Sequence, residues 1–419
     1  MTTRSNALPA TLIEAIDGVA HLGTTTQKLV RDALERLWLD AAVRQPNGEV
    51  FILTGDIPAM WIRDSVWQVR PLLRFAHDPE IRDFVRGVIA AQAKFLNIDP
   101  YANAYNLEPN GNCWHKDFAD QSPWVFERKF ELDSITSFLQ LSLDLAEVTE
   151  DHSHLTADWW ALANRLVELL WTETEHDPKS YRFSRPGNPP HDYLSHDGYG
   201  APYRNCGLIW SAFRPSDDAC ELPFHVPSNI HAEIQLRRLA RFAESEFAAL
   251  AASTRKLALQ LSTAIESVAV IGMGLKSILA YEVDGLGGFK LQDDANYPSL
   301  LSLPFLGGQR NLLYRQTREF CLSAANPWFF SGPHGSGVGS PHTGENMIWP
   351  LAIAMQGITA DKPADQLAAL RLIERTRSSN GFIHESFDVS NPERFTRDWF
   401  SWAEMTYVEL AFLLAEPTR

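Results

Sequence analysis

Two adjacent carboxylates in SAFRPSDDA (211–219), Asp217 and Asp218, and a third in GFIHESF (381–387), Glu385, are the residues best suited by type and context to acid–base work. Hydrolysis of a glycosidic bond needs two carboxyl groups across that bond. One must be protonated at neutral pH and give its proton to the departing oxygen, while the other takes a proton from water or attacks the carbon itself. Neighbouring carboxylates repel, so one member of the Asp217–Asp218 pair is expected to hold its proton to higher pH. Glu385 follows His384 between Gly381 and Phe387, a turn-prone stretch where a carboxylate can hold a water.

Three further stretches place charge beside aromatic rings. TGDIPAMWIRDS (54–65) carries Asp56, Trp61, Arg63 and Asp64; FERKFELD (126–133) carries Glu127, Arg128 and Asp133; SPHTGEN (340–346) carries His342. A core strand does not hold such charges without partners, and a solvated loop has no need of Trp61. The pattern suits a surface that offers hydrogen bonds to hydroxyls and a flat ring to a C–H face, which is what a sugar requires. Helix capping is the simpler reading of Asp64, Asp133 and Asp217, because each lies near the start of an expected helix. Thirteen tryptophans among 419 residues extend the pattern. Trp61, Trp114, Trp124, Trp210, Trp328, Trp399 and Trp402 all sit beside charged or turn residues, although core filling remains the simpler account of any one of them.

Other chemistries find little support. SGPHGSGVGSPHTG (331–344) lacks the GK[ST] ending of a phosphate loop and reads as a mobile loop, its His334 and His342 within reach of a ligand or merely exposed. There is no HExxH, no GxSxG, no GxGxxG after a strand, and no convincing metal spacing; no metal or cofactor is expected. The net charge of −15 argues against nucleic acid and anionic membrane as partners. No run reaches the length of a membrane span, and the N-terminus lacks the apolar stretch of a signal peptide. Cys113, Cys206, Cys220 and Cys321 form no CxxC pair and read as reduced thiols of a cytoplasmic protein.

The elements that must position these residues are mostly helices. Apolar spacing predicts helices over 26–44, 64–76, 80–96, 131–149, 156–174, 229–244, 246–270, 309–324, 343–357, 363–379 and 399–415, with strands only at 49–53 and 278–283. Long polar-aromatic connections at 98–130, 176–228, 281–308 and 326–342 separate them, and connections of that length are usually functional. No linker or low-complexity run divides the chain, so one domain over 1–419 is expected. Paired helices with long loops at one end fit a toroid better than an α-solenoid.

Taken together, TGDIPAMWIRDS, FERKFELDS, FRPSDDA with the following PSN (227–229), GSPHTGE, GFIHESF and FTRDWFSWAE (395–404) resemble glycoside hydrolase family 125, in order and over nearly the whole chain. The segment ELPFHV (221–226) departs from the family pattern, which bears only on the finer shape of the pocket. The resemblance implies an all-α (α/α)6 barrel and an exo-acting α-1,6-mannosidase that inverts configuration without a metal. By similarity, the general acid is an aspartate of SDD, taken as Asp217, and the general base is Glu385. Asp56, Trp61, Arg63 and Asp64 then line the mannose subsite, with Glu127, Arg128, Asp133, Arg214, Asp218, His342 and Arg397 as further contributors. An inverting pair implies carboxyl groups roughly 6.5–9.5 Å apart. Alternatives are another glycosidase or a phosphorylase on the same barrel, or a non-catalytic carbohydrate-binding protein. An α-mannoside oligosaccharide is the expected partner; the natural glycan, its length and the oligomeric state stay open.

Overall fold

In a computed structural model, residues 7–117, 121–185 and 187–416 are described. Among them are twelve α-helices of eight residues or more: α1 (Ala10–Gly18), α2 (Thr24–Glu35), α3 (Ile62–Val69), α4 (Pro79–Ile98), α5 (Leu132–Thr149), α6 (Ala157–Thr174), α7 (Val226–Ala243), α8 (Ala248–Ala264), α9 (Leu312–Cys321), α10 (Pro350–Ile358), α11 (Pro363–Thr376) and α12 (Ser401–Ala415). They form an (α/α)6 barrel. The inner ring contains α10, α12, α3, α5 and α7, each packed on the next named except α7. The position between α7 and α10 is filled by turns over 293–308: Gly307 approaches Ile234 of α7, and the Tyr297 hydroxyl meets Thr406 Oγ1 of α12 at 2.9 Å.

Side-chain pattern decides which helix lies where. Every residue of α3 is buried, Arg63, Asp64, Ser65 and Gln68 included, and α10 and α12 are buried on almost every face. A helix that is apolar all round belongs inside. By contrast, α4, α6 and α11 bury one stripe and expose the other, as helices of the outer ring should. One contiguous apolar core joins both rings.

The helix starts also differ. Outer helices α4, α6 and α9 are capped by Asp78, Thr156 and Asn311, which accept from the N–H groups of Glu80, Trp159 and Tyr314. Inner helices α3, α5, α10 and α12 begin without a side-chain cap. Their N-termini all face the end where the long connections gather: 36–61, 99–131, 175–225, 322–349 and 377–400. Connections at the other end are short, such as 150–156, 244–247 and 359–362.

Small sheets stiffen the long connections. Strands β1 (Ala42–Arg44) and β2 (Val50–Ile52) form a hairpin, so the expected helix over 26–44 stops early, after α2 and one wider turn. Likewise the expected helix 246–270 ends in a hairpin of Val270–Met273 with Lys276–Leu279, and the expected 343–357 starts only at Pro350, where proline fits the first helical turn. Helix α1 was not among the expected elements; residues 1–6, where the N-terminus was read for a signal peptide, lie outside the described residues. Strands β3 (Met60–Trp61), β4 (Ala104–Tyr105) and β5 (Val125–Glu127) form an antiparallel sheet. A second sheet orders Met347–Ile348, Ser386–Asp388 and Asn391–Thr396.

Candidate active site

A pocket opens among the inner-helix N-termini, lined by Thr54, Ile57, Trp61, Arg63, Asp64, Pro215, Ser216, Asp217, Asn296, His342, Trp349, Glu385, Arg397, Phe400 and Trp402. Local structure explains how each arrives. Gly55 has φ +60°, and a Cβ there would stand 2.6 Å from the Trp399 carbonyl, so the TGD turn can lie against 397–401 only with glycine. Pairing of Ser386 with Thr396 sets Glu385 beside Arg397. The sheet of β3, β4 and β5 brings Trp61 and Glu127 onto either side of Ala104, next to Asn103.

Arg63 is the hub. Its side chain is 2% exposed, and four carboxylates surround it: Nη1 reaches Glu131 Oε2 at 2.5 Å and Asp133 Oδ2 at 3.2 Å, Nη2 reaches Asp217 Oδ1 at 3.3 Å, and Nε lies 3.3 Å from Asp64 Oδ1. The guanidinium also faces the Trp402 ring at 5.3 Å. Asn103 Nδ2 donates to Glu127 Oε2 at 3.0 Å and to Glu131 Oε1 and Asp217 Oδ1, both at 3.2 Å. Behind them Lys129 Nζ donates to the Asp217 carbonyl at 2.6 Å and to Asp192 at 2.7 Å, and Arg185 joins Glu127, Asp117 and Asp192. So much buried charge is tolerable because each charged group has an opposite partner, although Arg63 Nε, Asp64 Oδ1 and Asp133 Oδ1 are left without a hydrogen bond.

The two aspartates of SDD face different partners. Asp218 is buried, accepts from Ser216 Oγ at 3.2 Å and meets His342 Nδ1 at 3.0 Å. The protein packed around its ring disfavours a charged His342, although the side chain is still 36% exposed, yet Asp218, Glu385 and Asp217 outweigh this and push the imidazole up to about 10. Asp217 turns instead to Arg63 and Asn103. Burial lifts its carboxyl, but Arg63, with Lys129 and His342, more than offsets this and holds it below the usual carboxylate range. Mutual repulsion between Asp217 and Asp218 is therefore not what governs Asp217; the carboxyl that shares its donors Arg63 and Asn103 is Glu131. Asp64, by contrast, is raised to about 6, chiefly by burial.

Two pocket residues have left-handed backbone without being glycine: Asp217 at φ +66° and Arg397 at φ +41°. Such conformations cost energy and persist where the surroundings impose them. Arg397 donates to Asp56 and to the Thr54 carbonyl at 3.1 Å, and its Nη1 stands 3.6 Å from Glu385 Oε1. The side-chain nitrogen of Trp61 and Oδ1 of Asp64 are buried without a hydrogen-bond partner in the protein, so both can serve a bound hydroxyl.

Of the residues expected from sequence, Trp61, Arg63, Asp64, Asp217, His342, Glu385 and Arg397 line the pocket. Asp56, Asp133 and Asp218 bond the lining residues Arg397, Arg63 and His342, and Glu127 stands one step further back, joined to Asp217 through Asn103. Neither Asp64 nor Asp133 caps its helix; those positions belong to Trp61 and Glu131. Arg128 and Arg214 are elsewhere. Arg128 binds Asp99 at 2.6 Å, and Arg214 is locked onto Glu282 at 2.5 and 3.0 Å. Arg128 follows directly on β5, along which side chains alternate in direction, and so turns the opposite way from Glu127. Glu127, Lys129 and Glu131 fall on the pocket side and Arg128 on the other. That alternation also pointed to Glu131, which sequence reading passed over together with Asn103, Lys129, Asn296, Trp349 and Phe400. Among the described residues, no group of three or more His, Cys, Asp and Glu is arranged to hold a metal ion, and no helix is long and apolar enough to cross a membrane.

Residues 5–412 match the family described as metal-independent α-mannosidases, GH125. The chain belongs to glycoside hydrolase family 125. A relative from Schizosaccharomyces pombe, meiotically up-regulated gene 157 protein, is 36% identical over 394 residues, covering 88% of this chain and 77% of the relative. The structure of a Streptococcus pneumoniae protein of the metal-independent α-mannosidases, in a non-productive complex with α-1,6-mannobiose, superposes with a TM-score of 0.94. It is 34% identical, covering 97% of this chain and 99% of that one. A bacterial glucoamylase bound to acarbose shares the fold alone, with a TM-score of 0.53, 14% identity and coverage of 85% of this chain and 49% of the other. As a family 125 member the chain is a glycosidase of the α-mannosidase type.

Proposed function

We propose that this chain removes non-reducing terminal α-1,6-linked mannose with inversion of configuration, Asp217 serving as general acid and Glu385 as general base. The observation that carries this reading is that one pocket, set among the inner-helix N-termini, is lined by both carboxyls together with Trp61, Trp349 and Trp402. A pocket favours binding of a chain end over binding of a chain interior. The mannobiose complex of the S. pneumoniae relative supports the linkage.

In this reading Asp217 protonates the glycosidic oxygen as its bond to the anomeric carbon breaks. Glu385 takes a proton from the water that attacks the opposite face. Arg397, fixed by Asp56 and the Thr54 carbonyl, holds the Glu385 carboxylate in place. Arg63, Asp64 and Trp61 bind hydroxyls, and Asp218 orients the His342 imidazole toward them.

The test is NMR of the anomeric protons during digestion of α-1,6-mannobiose with EDTA present, beside Asp217→Asn and Glu385→Gln. The expected result is β-mannose first, with both variants losing about 10²–10⁴-fold in rate. Early α-mannose would mean a retaining enzyme and a wrong pair of roles. Binding without hydrolysis of any mannoside or glucoside, with or without phosphate, would indicate a carbohydrate-binding protein.

A further inference from the structure

Glu131 is the carboxyl closest to Asp217 in its bonding. Its side chain is fully buried; Oε2 accepts from Arg63 Nη1 at 2.5 Å and Oε1 from Asn103 Nδ2 at 3.2 Å. Asp217 Oδ1 accepts from the same Asn103 nitrogen at 3.2 Å and from the other terminal nitrogen of Arg63 at 3.3 Å. One amide and one guanidinium thus clamp the two side chains together, and the two carboxyls share both partners. Two carboxyls held on the same donors repel when both are ionised, and the repulsion is relieved when one keeps a proton and donates it to the other.

We propose that Glu131 is the proton partner of Asp217: the two carboxyls hold one proton in common, and this is the proton delivered to the leaving oxygen. The proposal rests on Asp217 being the general acid. It resolves a difficulty in that assignment. Arg63 from α3, Lys129 from the extended segment after β5 and His342 from the 340–346 loop all face Asp217, and alone among these cations it would be ionised at neutral pH. The anions facing the pair are Asp64 from α3, Asp133 from α5, Glu127 from β5 and, through His342, Glu385 and Asp218. Burial, then Asp217 and Asp133, lift Glu131 well above the usual carboxyl range despite Arg63. In the resting pair the proton therefore sits on Glu131, in a hydrogen bond to Asp217.

The step balances. The proton crosses from Glu131 to Asp217 and from Asp217 to the glycosidic oxygen, which keeps the electron pair of the broken bond. Both carboxyls are then anionic, Glu385 carries the proton taken from water, and release of that proton with uptake of one by the pair restores the enzyme. Two carboxyls sharing one proton titrate as a unit, so Glu131 sets the pH at which Asp217 ceases to work as an acid. Glu131 acts through Asp217 and is a positioning and proton-holding residue.

The test compares pH profiles of kcat/KM for wild type, Glu131→Gln and Asp217→Asn on two substrates. α-1,6-Mannobiose needs a protonated leaving group; 2,4-dinitrophenyl α-mannoside does not. Glu131→Gln is expected to move the alkaline limb on mannobiose downward by about one pH unit or more and to lose about 10²-fold at neutral pH. On the dinitrophenyl substrate its loss should be about tenfold or less. Equal losses on both substrates at every pH, with an unmoved alkaline limb, would reduce Glu131 to a structural part and overturn the proposal. Asp217→Asn reads the parent assignment separately. If Asp217→Asn fails to discriminate between the substrates, the acid assignment falls. If it discriminates and Glu131→Gln does not, only the role of Glu131 falls. Infrared spectra guard against a Glu131→Gln variant that does not fold: wild type at neutral pH should show a protonated-carboxyl band that shifts in Asp217→Asn. No band, or one indifferent to that substitution, would overturn the proposal without any activity measurement.

Discussion

The same two helices are joined by an arginine–aspartate pair at each end, and the two pairs do different things. At the pocket end Arg63 of α3 meets Asp133 of α5 at 3.2 Å, with side chains 2% and 0% exposed. At the far end Arg70, in the turn that follows α3, meets Asp144 of α5 at 3.7 Å, with 21% and 16% exposed. Around Arg70 lies a cleft of about 890 Å³ whose charged residues pair among themselves: Arg238 with Asp144 and Glu147, Arg237 with Glu233. Water screens those pairs and competes for them. At the pocket, Arg63 and most of its carboxylates are enclosed: burial raises Glu131 and Asp64, while Asp217, whose side chain is 26% exposed, is lowered by the cations that ring it, Arg63 foremost. Burial, rather than residue type, turns an ion pair into a device that sets protonation.

The largest break in this comparison is Arg63→Met. It leaves Glu131, Asp133, Asp64 and Asp217 facing one another without their shared cation, and removing one partner of a buried pair costs about 3–5 kcal/mol. Denaturant unfolding should show a loss of that order, and turnover of α-1,6-mannobiose should fall beyond about 10³-fold. A variant that unfolds at the wild-type midpoint would mean the cluster discharges itself by protonation. Burial would then be a weaker constraint than the contrast between the two ends suggests.

A smaller and pH-dependent effect is expected at His342. Its charged form is favoured by folding, from an unfolded value near 6.5 up to about 10. The stabilisation is therefore complete below about 6.5 and is lost as pH rises through about 10. The difference in Tm between wild type and His342→Gln should be greatest at mildly acidic pH and shrink as pH rises through about 10, by an amount that solvent screening of the 36% exposed side chain keeps small. A difference that stays flat across this window would remove the Asp218–His342 ion pair from the account.

The contrast between the ends also explains what could be read from the sequence. Helix content and the barrel were legible because inner helices such as α12 are apolar all round while outer ones are striped, a difference periodicity records directly. Strand-like stretches were not: a helix over 26–44 looked continuous because nothing local distinguishes VR (43–44) in a hairpin from one more helical turn. At the site, charge beside aromatics led to Arg63, Asp64, Asp217, Glu385 and His342. Arg128 and Arg214 have the same local look but are claimed by Asp99 and Glu282, partners 29 and 68 residues away along the chain. Glu131 was hidden for the opposite reason. Apolar spacing makes it the first residue of a helix, whereas its backbone is extended just before α5 and its side chain meets Arg63 on the side where Glu127 and Lys129 also lie.

The smallest effect sharpens the comparison from its other side. Arg238 bridges Asp144 and Glu147 at 2.7 and 2.8 Å, shorter than the 3.3 Å between Arg63 and Asp217. Judged by distance alone, Arg238 should matter more. Its own side chain is 13% exposed, but it stands at the edge of an open cleft, with its partner Glu147 43% exposed and Arg237 and Arg241 57% and 70% exposed. Its removal leaves two carboxylates that water can reach and that Arg70 and Arg241 still attract. Arg238→Ala should therefore cost about 1 kcal/mol or less in unfolding, shrink further with added salt, and leave kcat and KM unchanged. A loss comparable to that of Arg63→Met would mean that the far-end cleft is drier than its exposure implies, and the division of the barrel into a chemical end and a solvated end would have to be redrawn.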